Sequence, residues 1–243
     1  MLNTIARLFR KMNKAHYNYL LILLIILFIF RPYDQGFTYL AIWKSFFACT
    51  ILTAIFNCKH HLRVKVAAIS AAIPTFVLGW VELYHSSQLI FVIHIFFILC
   101  FLWVCTTSII YDVILHAQVT IETLRGVVCA YFMIAFVFAY MYYLIEYLMP
   151  GSFQLIHRDV SFVTYSNNLA ELMYFSFVTL LTIGFGDITP LGDVAQTVVI
   201  MEGIIGQFYI AILVARIVSV YAFFNDARLL QKALEGTKWR RRK

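Results

Sequence analysis

Charge is what this sequence has least of. Only 13% of its 243 residues are Asp, Glu, Lys or Arg, while 63% are apolar, a balance that excludes an ordinary soluble domain and fits a polytopic membrane protein. Acid is scarcer than base, with twelve acidic against nineteen basic side chains and a net charge of +7. That excess does not call for a nucleic-acid partner, because Lys and Arg gather in the two tails and one loop, as the positive-inside rule describes. Cysteine is limited to five residues. Cys49, Cys100, Cys105 and Cys129 fall in expected spans and Cys58 in a basic loop, so no disulfide is expected. Cys58, His60 and His61 lack the paired spacing of a zinc site. A phosphate-binding loop, a His-Glu-x-x-His motif and a nucleophile elbow are all missing, so the chain is not expected to be an enzyme and needs no cofactor.

The apolar runs suit about six spans, each needing roughly twenty residues to cross about 30 Å of hydrocarbon. The expected spans are Tyr17 to Phe30, Phe37 to Phe56, Val66 to Tyr84, Leu89 to Leu115, Gly126 to Met149 and Val194 to Tyr221. Before them, Arg7, Arg10, Lys11 and Lys14 lie on one helical face opposite Ile5, Leu8, Phe9 and Met12, which suits a segment on the inner leaflet. Lys59, Arg63 and Lys65 fix the loop after the second span as cytoplasmic. Lys44 sits in the outer third of the second span and is expected to snorkel to the surface. The fourth span has no ladder of Arg or Lys, its polar members being His94, Thr106, Thr107 and Ser108. Each charge moved through the field contributes only about 2.3 kcal/mol per 100 mV, so no steep voltage dependence is expected. His94 reads as a hydrogen-bonded packing residue, with titration as the alternative.

One polar, glycine-rich run stands between apolar segments near the C-terminus: Thr182-Ile183-Gly184-Phe185-Gly186-Asp187. Its glycines permit backbone angles that residues with a Cβ resist, so successive carbonyls can point to one side and replace an ion's hydration shell. Leu169 to Leu181 reads as a short helix leading in, with a hydroxyl at the inner end of the run and an acid at the outer end. This combination resembles the pore helix and selectivity filter of the tetrameric potassium-channel family. The resemblance covers about residues 126 to 220 and is most specific from Tyr174 to Asp187.

The resemblance implies an all-α membrane protein of six transmembrane helices with a re-entrant pore helix and filter loop, assembled as a homotetramer because four chains close each ion cage. Potassium ions would bind at the carbonyls of Thr182, Ile183, Gly184 and Phe185 and the Thr182 hydroxyl, with Gly186 and Asp187 completing the filter. Tyr174, Phe175, Ser176 and Thr179 would support it from the pore helix. Three positions depart from the common pattern: Ile183 for Val, Phe185 for Tyr and Leu181 for a second Thr.

The last span contains Gly203 and Gly206, read either as a hinge or as a close-packing surface. Gln207, Ile210, Val214 and Val218 share one face and are expected to line the pore. Glu202 is ionisable and well inside the membrane, and is expected to support the filter by bonding Ser176 or Thr179.

These readings divide the chain into a basic segment (1–16), a four-helix peripheral domain (17–115), a cytoplasmic linker (116–125), a pore domain (126–221) and a basic tail (222–243). Both termini would be cytoplasmic and bind anionic lipid. The lack of a glycosylation sequon and of large cytoplasmic domains suits a bacterial inner membrane. The expected activity is passive, potassium-selective transport. Its alternatives are a non-selective cation channel on the same scaffold, or a transporter or assembly subunit.

Overall fold

Where no water reaches the backbone, its N–H and C=O groups must bond within the segment, and helices do this. The computed structural model describes residues 16–30, 37–57, 62–84, 87–115, 121–155 and 167–215, and each expected apolar run forms a helix within these residues. The helices are α1 (His16–Ile29), α2 (Phe37–Asn57), α3 (Leu62–Tyr84), α4 (Gln88–Leu115), α5 (Ile121–Leu148), α6 (Asn167–Leu180) and α7 (Asp193–Ala215). Among the described residues, four stretches are long and apolar enough to cross a membrane: Val64–Glu82, Gln88–Val113, Glu122–Leu148 and Asp193–Ala215. In α1 and α2 the apolar stretches are shorter, Tyr17–Ile29 and Tyr39–Ile55. Hydroxyls in the spans bond back to their own helix, as Thr106 Oγ1 does to Leu102 O at 2.7 Å and Thr75 Oγ1 to Ala71 O at 2.8 Å. Helix α3 runs through Pro74 without a break.

Helix α5 is the scaffold. Two thirds of its apolar stretch is buried (67%) against 11% for α7, so α5 is enclosed by its own chain while α7 is left largely bare. Helices α1, α4 and α6 all pack against α5. Phe28 of α1 reaches across to Phe177 of α6, with ring centroids 4.3 Å apart. At the other end of α1, Tyr17 donates to Asp112 Oδ2 of α4 at 2.5 Å, and the Cys129 thiol of α5 contacts Tyr17 O at 3.5 Å. Asp112 is a buried acid absent from the sequence reading of the fourth span.

The structure differs from the sequence reading in three further places. Helix α5 starts at Ile121 instead of Gly126, its first turn braced by an Arg125–Glu122 pair at 2.8 Å, so it takes up part of the expected linker. The rest of that linker, the basic N-terminal segment and the basic tail lie outside the described residues, as do Cys58, His60 and His61. A two-stranded antiparallel pair was not anticipated: β1 (Phe153–Leu155) pairs with β2 (Ile188–Pro190), Gln154 opposite Thr189. Three-residue strands leave too short a pattern to read. Lys44 does not snorkel; its ammonium group donates to Gly79 O at 2.6 Å and meets Glu82 Oε2 at 3.1 Å.

The chain leaves α5 through a turn at Gly151, whose φ of 87° suits glycine. Buried Glu146 fixes that turn by accepting the Gly151 N–H at 2.9 Å and the Phe153 N–H at 3.0 Å. Glu146→Ala strands two backbone donors, and is expected to cost about 2 kcal/mol. A lowered melting temperature of the detergent-solubilised protein, with a smaller loss in Glu146→Gln, would show it.

Candidate pore and filter

The candidate filter begins as the cap of a helix. At the end of α6, Ile183 N–H bonds Val178 O and Thr182 N–H bonds Thr179 O, both at 2.9 Å. This is the Schellman pair of bonds, which requires the residue after the helix to be left-handed. Thr182 is that residue, with φ 58°, the one non-glycine with positive φ among the described residues. Glycine usually fills the position; a residue with a Cβ pays about 1–2 kcal/mol there.

The left-handed conformation then recurs at every second residue, at Gly184 (φ 59°) and Gly186 (φ 77°). Only at these two positions does glycine remove the cost. Handedness that alternates along the run allows successive carbonyls to face one side, which is what a dehydrated cation requires. Ile183 and Phe185 fall between and stand bare in the single chain, 48% and 68% exposed.

The outer end of the run is held twice. Tyr174 O–H donates to Asp187 Oδ2 at 2.8 Å, and Asp187 Oδ1 accepts the Ile188 N–H at 3.1 Å. Beyond it, β2 pairs with β1, and Leu191 N–H bonds Ser152 O at 2.8 Å. The loop is thereby tied to α6 on one side and to the end of α5 on the other.

Behind the run, three helices meet at one carboxyl group. Glu202 of α7 is fully buried; its Oε1 lies 2.5 Å from Ser176 Oγ of α6, and its Oε2 accepts the Tyr142 hydroxyl of α5. Ser176 also reaches Ala135 O at 2.8 Å. Of the two partners expected for Glu202, Ser176 is in contact and Thr179 is not; Thr179 contributes its carbonyl to the helix cap instead. Phe175 turns away from the filter into a ring cluster with Tyr142 (5.5 Å) and Phe153 (5.7 Å). Of the expected aromatic pair, then, Tyr174 meets the filter loop and Phe175 fills the core.

Sequence reasoning missed the tyrosines of α5 and α7 as polar ties. Tyr142 holds Glu202, Tyr131 O–H donates to Leu180 O at 2.8 Å, and Tyr209 O–H donates to Val127 O at 2.7 Å. The signal was available, since a tyrosine hydroxyl inside an apolar span needs a partner.

Gly206 has a packing reason to be glycine, because a Cβ there would lie 2.9 Å from Leu180 O and 2.9 Å from Leu180 Cδ1. Around Gly203 nothing lies within 4 Å of a built Cβ. Gln207, Ile210 and Val214 are exposed on α7, whereas Val218 lies outside the described residues. The same helix bares Ile200, Ile204, Phe208 and Ile212, so it has more apolar surface than this chain covers.

Residues 127–222 match the family described as Ion channel, a stretch that begins in α5 and takes in α6, the filter loop and α7. Two-pore potassium channel 3 of Arabidopsis thaliana is 32% identical over 112 residues, 46% of this chain and 24% of the relative. The match thus spans about a quarter of the relative's length. No solved structure matches. The matched stretch contains the whole Thr182 to Asp187 run. Over this stretch the chain is similar to ion channels, among them a potassium channel.

The two glycines of α7 make contrasting predictions. Gly206→Ala drives a Cβ into the last carbonyl of α6, and is expected to cost about 1–3 kcal/mol. Gly203→Ala meets no atom of its own chain within 4 Å and improves helix propensity by up to about 1 kcal/mol, so it is expected to cost less than Gly206→Ala. Thermal unfolding of the two purified variants checks both; equal melting temperatures would refute the contact at Leu180.

Proposed function

We propose that this chain forms a potassium-selective channel that conducts passively down the electrochemical gradient. The observation that carries the reading is the alternation of left-handed residues at Thr182, Gly184 and Gly186, a backbone suited to stacked carbonyl cages with potassium at Thr182, Ile183, Gly184 and Phe185. Asp187 and Tyr174 anchor the outer end of the filter, and the Glu202–Ser176–Tyr142 hub supports it from behind.

A cage needs carbonyls from several sides, and the chain has one filter run. A homotetramer follows, with cyclic symmetry. The bare side chains of Ile183 and Phe185 and the largely exposed α7 support this, because assembly would cover them. Gln207, Ile210, Val214 and Val218 line the inner pore in this reading, and an apolar ring at Val214 or Val218 closes it by dewetting. Six spans, cytoplasmic termini bound to anionic lipid and a bacterial inner membrane complete the proposal, with the first four helices forming a peripheral domain without a charged sensor.

The test is ion flux through the purified protein in liposomes, under a potassium gradient and then a matched sodium gradient, with barium as blocker. The expected result is potassium flux that barium stops, with little sodium flux. Comparable sodium flux would favour a non-selective cation channel on the same scaffold. A monomer in mild detergent with no flux would favour a transporter or assembly subunit. Gly184→Ala and Gly186→Ala are expected to abolish conduction, because each adds about 1–2 kcal/mol of backbone strain per chain where four chains must match.

A further inference from the structure

The peripheral domain contains a second built site, distinct from the filter. Helices α2, α3 and α4 each contribute one ionisable side chain to a single oxygen atom. Lys44 Nζ of α2 lies 3.1 Å from Glu82 Oε2 of α3, and His94 Nδ1 of α4 lies 2.9 Å from the same oxygen. Lys44 also donates to Gly79 O at 2.6 Å. The lysine and glutamate charges cancel, so the histidine decides the net charge of the cluster.

A cavity of about 30 Å³ adjoins it, lined by Trp43, Lys44, Gly79, His94 and Tyr140 among others, which is room for about one or two waters. Trp43 is 5% exposed and its Nε1–H has no partner. A buried donor left unpaired in protein calls for an acceptor. The cavity has room for a water that would accept it, and Lys44 has a third N–H to give such a water. Glycine at 79 is what lets the ring sit here, since a Cβ would lie 3.3 Å from His94 Nε2.

We propose that Lys44, Glu82 and His94 form a proton-binding site, fed by water in this cavity, through which pH at the Asp187 end of the filter sets conduction. This rests on the channel reading above. An ionised carboxylate only accepts hydrogen bonds, so neutral His94 keeps its one proton on Nδ1, facing Glu82. The second proton goes to Nε2: a hydronium in the cavity gives up a proton and remains as water. The cluster passes from neutral to a net charge of +1, in surroundings that screen charge poorly. Imidazolium and ammonium then compete for one carboxylate oxygen, and the tie between α2 and α3 loosens.

The side is fixed by packing within the chain. One turn before His94, Phe91 sets its ring against Tyr143 (5.2 Å) and Tyr147 (4.2 Å), at the end of α5 that leads through β1 to β2 and Asp187. Glu82 is 25% exposed and His94 9%, so the carboxylate is the less buried member of the pair. The groups that share the oxygen or the cavity with His94 are Lys44 from α2, Glu82 from α3 and Tyr140 from α5. The link to the pore is α5, with Tyr140 on the cavity and Tyr142, two residues on, on Glu202 behind the filter.

The test is current through the full-length protein in planar bilayers, with pH stepped from about 8 to about 5 on each side in turn. Wild type is expected to change its current by about fivefold or more, from one side only. His94→Gln should conduct at the higher pH and lose the response. Lys44→Met removes the other donor on Glu82 Oε2 and should move the half-maximal pH, which a merely structural lysine would not do. A response that survives in His94→Gln, or a wild-type current indifferent to pH on both sides, overturns the proposal. If no variant conducts, the channel reading fails, and nitrogen-15 NMR of the histidines still decides the site. A titrating signal that disappears in His94→Gln and moves in Lys44→Met supports it, and none overturns it.

Discussion

A helix that ends inside a protein leaves its last carbonyls without partners, and α6 ends at the point where the candidate filter must begin. Two devices satisfy that end: the Schellman bonds to Val178 O and Thr179 O, and the Tyr131 hydroxyl on Leu180 O. The first device forces Thr182 into the left-handed region. Termination of the helix and the start of the alternating backbone are therefore one event, and the strain at Thr182 is offset by bonds the helix end needs in any case. The close approach of α7 follows from the same point, because Gly206 leaves room for the Leu180 carbonyl that Tyr131 has already paired.

Around that end the polar groups act as ties between helices. Ser176, Glu202 and Tyr142 join α6, α7 and α5; Tyr209 joins α7 to α5; Asp112 and Tyr17 join α4 to α1. In an apolar interior such pairs fix register and rotation, since sliding by one residue would strand a buried polar group. Apolar side chains fill the space between but do not select a register as sharply. Helix α5 takes part in most of these ties, which is why it is enclosed while α7 stays open on the face an oligomer would cover.

The helices, their order and the left-handed turns of the glycine-spaced run were legible because each has a local cause. Long apolar runs have to be helical in a membrane, and Gly184 and Gly186 announce positive φ by lacking a Cβ. The polar partners were legible only in part. Glu202 was recognisable as a buried acid from its place in an apolar run, and Ser176 as one of its candidate partners; Tyr142, which is sixty residues away in sequence, was not. Lys44 was misread for the same reason. A lone lysine near a span end usually reaches for the surface, and nothing local says that Glu82 and Gly79 stand within its reach.

What the sequence determined by itself is the chemistry available along the chain: apolar spans, a glycine-spaced loop, and a few isolated polar groups that would have to find partners. What only the tertiary structure decided is the pairing. It chose Tyr142 and Ser176 for Glu202, His94 and Lys44 for Glu82, and a left-handed conformation for Thr182, which no residue preference would assign. Helix formation is settled by neighbours a few residues apart, whereas a buried polar group is satisfied by whichever distant segment packing brings within about 3 Å.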